Sequence, residues 1–160
     1  MNVVFLDFDG VVNTPVWDPK DREFKMNMPY HGFVSNHDAV EWVEAFCQIY
    51  DFNVVVSSDW RLNKNWRECL LFGGFMDSER IIDRTPHFPP TSEKYGRGHE
   101  IQAWLDEHPE VENFLIIDDD ISEMLLEHKK HIIHTDEETG FTEWNFNQAV
   151  DKFYDRELEK

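Results

Sequence analysis

The chain of 160 residues has 33 acidic and 15 basic side chains, a formal net charge of -18. That charge disfavours wrapping along a nucleic-acid backbone or lying on an anionic membrane, although it permits the binding of a single phosphate group. Cys47 and Cys69 each lie in an apolar run, which predicts free thiols and a reducing cytoplasm rather than a disulfide framework. The length predicts one domain over residues 1–160. With no signal-like amino terminus and no apolar run of about 18 residues, we expect a cytoplasmic protein without a membrane span.

The first ten residues carry the strongest functional pattern. Residues 1–6 predict a short buried strand, and Asp7 and Asp9 follow it on the same side of the extended chain before Gly10 permits a turn. Two carboxylates this close repel each other unless a divalent cation lies between them or one holds a proton. Both arrangements suit phosphoryl transfer, in which one carboxylate attacks phosphorus and the other handles the leaving-group proton. The alternative is a solvated acidic turn after a core strand.

Residues 13–36 have no clean hydrophobic period and contain three prolines and four aromatic side chains. They predict an ordered flap or small cap, or else an irregular segment that only covers a sheet edge. Apolar residues at helical spacing then predict a helix over 38–50, capped near Asn36, and a β-branched run predicts a strand over 52–56. A further helix is predicted over 62–72, ended by a glycine pair.

The second half of the chain continues the alternation of strands and helices. It predicts a short strand over 80–83, a proline-rich loop over 85–91 and a helix over 98–107. A buried strand over 114–117 is followed by a helix through 121–125, a short strand near 131–134 and a final helix over about 144–158. This order predicts an α/β fold, a Rossmann-like parallel sheet with helices on both faces.

Ligands bind at the carboxyl ends of the strands in such a sheet. Three polar clusters fall there: Asp7 with Asp9, Ser57 with Ser58, and the run 118–120 of three aspartates. We therefore expect them to converge on one crevice. Helix capping would also explain the two later clusters, and the serines can cap a helix and receive an anion at the same time. Three adjacent carboxylates are more than a cap needs and indicate metal ligation.

The segment 60–97 contains seven of the fifteen basic residues and is locally positive. Arg97 precedes a predicted helix, where a cation opposes the helix dipole, so a nearby aspartate cluster or a bound phosphate would explain it better. Arg61 follows the second strand in a similar position. A solvated surface arginine is the alternative for each.

These motifs together resemble a known family. Asp7-Phe8-Asp9-Gly10-Val11, Ser57 after a strand, a basic residue before a helix, and Ile117-Asp118-Asp119 match in order the four motifs of the haloacid dehalogenase (HAD) superfamily of phosphotransferases. The amino-acid sequence at residues 57–61, 97–101 and 140–142 is similar to that of the HAD domain of "Swiss army knife" RNA-repair proteins. The resemblance covers nearly the whole chain and implies a HAD fold with a minimal cap after the first strand.

By motif position, the resemblance implies that Asp7 is the nucleophile that forms an aspartyl-phosphate. Asp9 would be the general acid and base, and its carbonyl would also bind Mg²⁺. Asp119, with Asp118 beside it, would complete the metal site. The four residues Asp7, Asp9, Asp118 and Asp119 are therefore the predicted metal ligands, with Mg²⁺ as the cofactor.

The resemblance also implies the phosphate-binding residues. Ser57 would bind the phosphate, and Ser58 and Arg61 are predicted to contact the substrate beside it. The family usually has Lys at the third motif, where this sequence has Arg97, with Lys94 three residues earlier as its rival.

The predicted activity is hydrolysis of a phosphomonoester on a nucleotide or on the phosphorylated end of a nucleic acid. Trp17, Phe24, Tyr30 and Phe33 lie near cations in the predicted flap, and aromatic faces beside cations suit a nucleobase with its phosphate. The net charge predicts no extended nucleic-acid surface. Two alternatives are a non-catalytic HAD-like module that binds phosphate for regulation, and a phosphatase of small sugar phosphates.

Overall fold

A computed structural model describes residues 1–15 and 36–159 of the chain. Within these ranges five parallel strands form one sheet in the order β3-β2-β1-β4-β5. The strands are β1 (Asn2–Leu6), β2 (Phe52–Val56), β3 (Ile81–Arg84), β4 (Asn113–Asp118) and β5 (Ile132–His134). In the register Leu6 lies opposite Val56 on one side and Ile117 on the other. The carboxyl ends of the three central strands are therefore level, and the predicted parallel α/β sheet is confirmed.

Helices cover both faces of this sheet, as predicted. They are α1 (His37–Ile49), α2 (Trp66–Phe72), α3 (Arg97–Glu107) and α4 (Glu143–Glu159). Val4 and Leu6 of β1 pack into the cluster that contains the apolar residues of α1, α2 and α4, whereas Val3 and Phe5 pack with Ile101 of α3. This division follows from the alternation of side chains along a strand, because a strand buried on both faces must be apolar throughout.

The predicted helix over 62–72 is shorter and begins later in the structure. A 3-10 turn (Asp59–Leu62) comes first, started by Ser58, whose hydroxyl accepts a hydrogen bond from the Trp60 amide. Asn63 then adopts an extended conformation, which breaks the helical path before α2. Polar side chains that bond to nearby backbone compete with helix formation, and the apolar period alone did not reveal this.

The prediction of a helix through residues 121–125 was wrong. The Asp118 carboxylate accepts a hydrogen bond from the Asp120 amide, and Asp120 in turn accepts one from the Ser122 amide. Two successive aspartate turns of this kind satisfy the backbone without a helix. A 3-10 helix (Leu126–His131) follows instead and leads into β5.

The predicted flap over 13–36 lies mostly outside the described residues, which resume at Asn36. Its two described ends meet beside the carboxyl end of β1: the Asn36 amide donates to the Val12 carbonyl at 2.7 Å, and its side chain reaches the Thr14 hydroxyl at 3.4 Å. Among the helices in the described ranges, none combines the length and apolar character needed to cross a membrane. Cys47 and Cys69 are both buried free thiols.

Candidate active site

The central strand ends bring Asp7, Ser57 and Asp118 together. The Asp7 amide donates to the Ile117 carbonyl and the Ser57 amide to the Leu6 carbonyl, each at 3.0 Å, so hydrogen bonding between the strands continues past their ends. Asp7 and Ser57 are buried, as is Asp118, the last residue of β4. The predicted convergence of the polar clusters therefore exists for these three residues.

Arg97, the first residue of α3, joins two of these carboxylates. Its Nη1 lies 3.0 Å from Asp7 Oδ1 and 2.7 Å from Asp118 Oδ2. Lys94 is exposed, and no carboxylate of the described residues lies within 4.0 Å of its ammonium group. The structure thus brings Arg97, and not Lys94, to the buried carboxylates.

Three acids form a compact oxygen cluster. Asp7, Asp118 and Asp119 each offer one carboxylate oxygen, and these oxygens all lie within 4.8 Å of one another. Arg97 supplies one positive charge beside three carboxyl groups. Hard oxygen donors in this number suit a divalent cation such as Mg²⁺.

Gly10 is the backbone feature that allows Asp119 to approach. Its φ is +71°, and a Cβ added there would lie 2.3 Å from Asp119 Cγ. Any other residue would be strained by the left-handed backbone and would also collide with this carboxylate. The glycine of the Asp7-Phe8-Asp9-Gly10 motif therefore makes room for a residue more than a hundred positions away.

The buried acids have perturbed pKa values. Burial, reinforced by Asp118, raises the pKa of Asp7 to about 7, although the Arg97 guanidinium opposes the shift. Burial also raises the pKa of Asp118, again against the effect of Arg97. Burial lowers the pKa of Arg97, but the two carboxylates outweigh this effect and raise it above its ordinary value. A buried carboxyl that titrates near neutrality is typical of functional sites.

Asp9 occupies a different environment from the three clustered acids. Its side chain is exposed, and Trp60 Nε1 donates to its Oδ2 at 2.9 Å. The Asn13 side chain donates to its Oδ1. Both oxygens are thus held by neutral donors, and the carboxylate lies outside the oxygen cluster. Sequence reasoning did not identify Trp60 or Asn13, although Trp60 stands only three residues after Ser57.

The two predicted phosphate-binding serines differ. Ser57 is fully buried, and its hydroxyl has no hydrogen-bond partner among the described residues. A buried unsatisfied hydroxyl calls for an explanation, and a bound phosphate oxygen would supply the missing partner. The Ser58 hydroxyl instead caps the 3-10 turn through the Trp60 amide. The capping alternative therefore describes Ser58, although its O–H group can still donate to a substrate oxygen while Oγ accepts from the Trp60 amide.

Arg61 has no free donor for the substrate contact predicted for it, because other parts of the chain use all its N–H groups. The side chain is 1% exposed, and its five N–H donors are matched by five acceptors on Ser57, Asp59, Thr85, Pro86 and Glu100. Among these bonds Nη2 to Glu100 Oε2 measures 2.6 Å and Nη1 to the Ser57 carbonyl measures 2.8 Å. With no donor left over, Arg61 ties the end of β2 to the loop after β3 and to α3.

Glu100, a buried acid on α3, is the partner that sequence reasoning missed. Its second oxygen accepts a hydrogen bond from the Phe88 amide at 2.9 Å and lies 3.2 Å from His87 Nδ1. The sequence feature that could have identified Glu100 is its position three residues after Arg97. This spacing places both side chains on neighbouring parts of one helix face. Arg97 faces the acid cluster, while Glu100 anchors Arg61.

Comparison with known proteins identifies one family. A sequence model described as "HAD domain in Swiss Army Knife RNA repair proteins" matches residues 3–146, which include every predicted site residue. No curated protein and no solved structure produced a match. At the level of the family, HAD domains are generally phosphatases and other hydrolases. The matched span also covers β2 to β5 in full and all of β1 except Asn2.

Proposed function

The chain belongs to the family of HAD domains found in Swiss Army Knife RNA repair proteins, and from that premise we propose that it is a Mg²⁺-dependent phosphomonoester hydrolase. One observation carries this proposal. The buried Asp7 carboxylate is 3.0 Å from the Arg97 guanidinium and contributes an oxygen to the cluster with Asp118 and Asp119. A carboxylate nucleophile, a fixed cation for phosphate oxygens and additional acids for a metal are the components that this reaction uses.

In the proposed first step, an Asp7 oxygen forms a bond to phosphorus while the bond from phosphorus to the leaving oxygen breaks. Asp9 donates a proton to that oxygen, which departs as an alcohol. Water then attacks the aspartyl-phosphate, Asp9 takes its proton, and the bond between Asp7 and phosphorus breaks to release inorganic phosphate. The hydrogen bonds from Trp60 and Asn13 hold the Asp9 side chain apart from the three clustered acids.

The acid cluster fits the proposed Mg²⁺. Asp7, Asp118 and Asp119 would hold the ion, together with the backbone carbonyl of Asp9, and the space beside Gly10 lets Asp119 join them. The ion, when bound, would neutralise negative charge on the phosphate oxygens. The Ser57 hydroxyl and the Arg97 guanidinium are the chain's own donors to those oxygens.

The proposed substrate is a nucleotide or the phosphorylated end of a nucleic acid. The family description refers to RNA repair proteins, and the sequence of the predicted flap combines aromatic and basic side chains. Both features favour a substrate with a nucleobase over a small sugar phosphate. The proposed setting is the cytoplasm, with no membrane partner.

Hydrolysis of an aryl phosphate tests the proposed activity. We expect Mg²⁺-dependent turnover, none in the Asp7→Asn variant, and labelled phosphate on Asp7 when the intermediate is trapped. Asp151→Asn, an exposed acid on α4, is the matched control and should keep the wild-type rate. Turnover by Asp7→Asn, or label on Ser57, would contradict the mechanism. Phosphate binding with no turnover of any substrate would favour the regulatory module instead.

The substrate class needs a separate comparison. We expect kcat/KM to be higher for a 3′-phosphorylated oligonucleotide or a mononucleotide than for sugar phosphates. The Trp17→Ala variant should lose part of this preference, because stacking is worth about 1–3 kcal/mol per base. A preference for sugar phosphates that Trp17→Ala leaves unchanged would show that the substrate assignment is wrong.

A further inference from the structure

A pocket of about 280 Å³ lies at the same edge of the sheet as Asp7, between the segments that leave β2 and β3. Its lining consists of Arg61, Leu62, Arg84, Thr85, Pro86 and His87. The segments are joined at their base, because the Thr85 amide donates to the Val56 carbonyl at 3.0 Å. No acidic side chain lines this pocket, although the chain as a whole carries a net charge of -18.

Arg84 is the cation of this pocket that is free to bind an anion. Its Nη1 donates to the Arg61 carbonyl, and its guanidinium carbon lies 5.5 Å from the centre of the Trp66 ring. In the described part of the chain no carboxylate lies within 4.0 Å of it, and its Nε and Nη2 have no hydrogen-bond partner there. The guanidinium is therefore held in position by a backbone oxygen and an aromatic face while its charge remains unpaired.

Two other lining residues offer polar groups. The Thr85 hydroxyl is buried without a hydrogen-bond partner among the described residues. His87 is about half exposed, and its Nδ1 contacts Glu100, which leaves the other ring nitrogen for a ligand. Leu62 and Pro86 add apolar surface beside these groups. A guanidinium, an imidazole and a hydroxyl around an acid-free pocket match the oxygens of a phosphate ester, and the apolar side chains match its sugar.

The pocket adjoins the proposed catalytic centre through Arg61. This side chain lines the pocket, and its Nη1 donates at 2.8 Å to the carbonyl of Ser57, the residue proposed to bind the phosphate that is cleaved. Arg61 therefore contacts both the pocket and the backbone of Ser57. A ligand that fills both would carry two phosphorus centres, one at its end and one at the next linkage.

We propose that this pocket binds the phosphodiester group next to the terminal phosphate, so that the preferred substrate is an oligonucleotide end rather than a mononucleotide or a sugar phosphate. The inference rests on the proposed phosphatase function. It agrees with the net charge, because one unpaired cation can hold one additional phosphate locally without an extended basic track.

The test compares Arg84→Gln with Arg67→Gln. Both variants remove one exposed guanidinium that stacks on Trp66, but Arg67 does not line the pocket. The quantity measured is kcat/KM for an RNA of about six nucleotides with a terminal 3′-phosphate, divided by kcat/KM for an aryl phosphate. We expect this ratio to fall about tenfold in Arg84→Gln, the loss typical of one charge-assisted hydrogen bond, and to stay at the wild-type value in Arg67→Gln.

Direct binding separates this inference from the activity. Fluorescence anisotropy of the same RNA on Asp7→Asn protein, with and without Arg84→Gln, requires no turnover. We expect about tenfold weaker binding, and a slope of log K against log salt that is smaller by about 0.7, as for one phosphate contact on a single strand. Equal effects of the Arg84 and Arg67 variants in both assays would overturn the pocket assignment, as would an RNA that is bound no better than inorganic phosphate. Absence of aryl phosphate hydrolysis would refute the proposed function, and the binding result would then decide the pocket by itself.

Discussion

Replacing Asp7 by Asn should stabilise the metal-free protein at neutral and alkaline pH while it abolishes turnover. Asp7 is buried beside Asp118, and its pKa is raised to about 7 by burial and by that second acid, against the pull of Arg97. An ionised Asp7 without metal is therefore a cost to the folded state. Asparagine has the same shape and can still accept a hydrogen bond from Arg97, but it carries no charge.

The size of the effect follows from the linkage between protonation and folding. The folded protein holds a proton on Asp7 up to about pH 7, whereas the unfolded chain loses it near the ordinary value of 3.8. Between these values the folded state binds more protons, so the free energy of unfolding falls as pH rises. From about pH 5 to about pH 8 the fall due to Asp7 is on the order of 2 kcal/mol, because each pK unit corresponds to roughly 1.4 kcal/mol.

Urea unfolding with a chelator present, at about pH 5 and about pH 8, measures this difference. The quantity of interest is the free energy of unfolding of Asp7→Asn minus that of the wild type. We expect this difference to be about 2 kcal/mol larger at about pH 8 than at about pH 5. Asp151→Asn on the surface of α4 should show no such change and serves as the control. Saturating Mg²⁺ should then stabilise the wild type more than Asp7→Asn, because the ion binds an ionised carboxylate that the variant lacks.

Equal differences between the two proteins at both pH values would show that Asp7 does not titrate in this range. A variant that is less stable than the wild type at about pH 8 without metal would refute the argument more directly. It would mean that the pair with Arg97, 3.0 Å away, contributes more than the combined cost of burial and repulsion from Asp118.

Four further outcomes are expected. Activity should vanish with a chelator and return with Mg²⁺ but only weakly with Ca²⁺, whose looser coordination would misplace the nucleophile; full activity in excess chelator would contradict this. Asp9→Asn should slow the release of both leaving group and phosphate, and rapid-quench kinetics would detect it. Trp60→Phe removes the 2.9 Å hydrogen bond to Asp9 and should lower kcat about tenfold with little change in KM, while an unchanged kcat would show that this bond does not position Asp9. Gly10→Ala should weaken Mg²⁺ binding measured by calorimetry, because its Cβ would meet Asp119 at 2.3 Å.

Local patterns in the sequence were sufficient for most of the fold. The strand over 52–56 was predicted with its observed bounds, and the helices over 38–50 and 98–107 were placed within a residue or two of α1 and α3. In each of these elements the apolar residues recur at the spacing of a helix or form a continuous strand-like run, so the local sequence is sufficient to predict the conformation. The prediction of a helix through 121–125 was wrong because the aspartate side chains accept hydrogen bonds from nearby backbone amides. The spacing of apolar residues contains no information on this competition with helix formation.

The acids of the candidate site could also be predicted, since Asp7, Asp118 and Asp119 directly follow buried strands and parallel strands end at one edge of a sheet. Which cation joins them was beyond the sequence. Lys94 and Arg97 lie three residues apart, and only the packing of α3 brings the Arg97 guanidinium to Asp7 and Asp118. A local pattern has no information on where a helix start is placed relative to strands from other parts of the chain.

Arg61 and Trp60 are two further cases in which the local sequence did not predict the contacts of a side chain. The sequence predicted that Arg61 contacts the substrate, but its N–H groups donate to five acceptors from three separate segments of the chain. Trp60, which the sequence did not single out, donates a hydrogen bond to the Asp9 carboxylate. Burial and hydrogen bonding depend on contacts between residues far apart in the chain, whereas residue type and spacing report only the local preference. The sequence by itself therefore determined the strands, most of the helices and the acids that meet at the sheet edge, and the tertiary structure decided which cations and donors surround those acids.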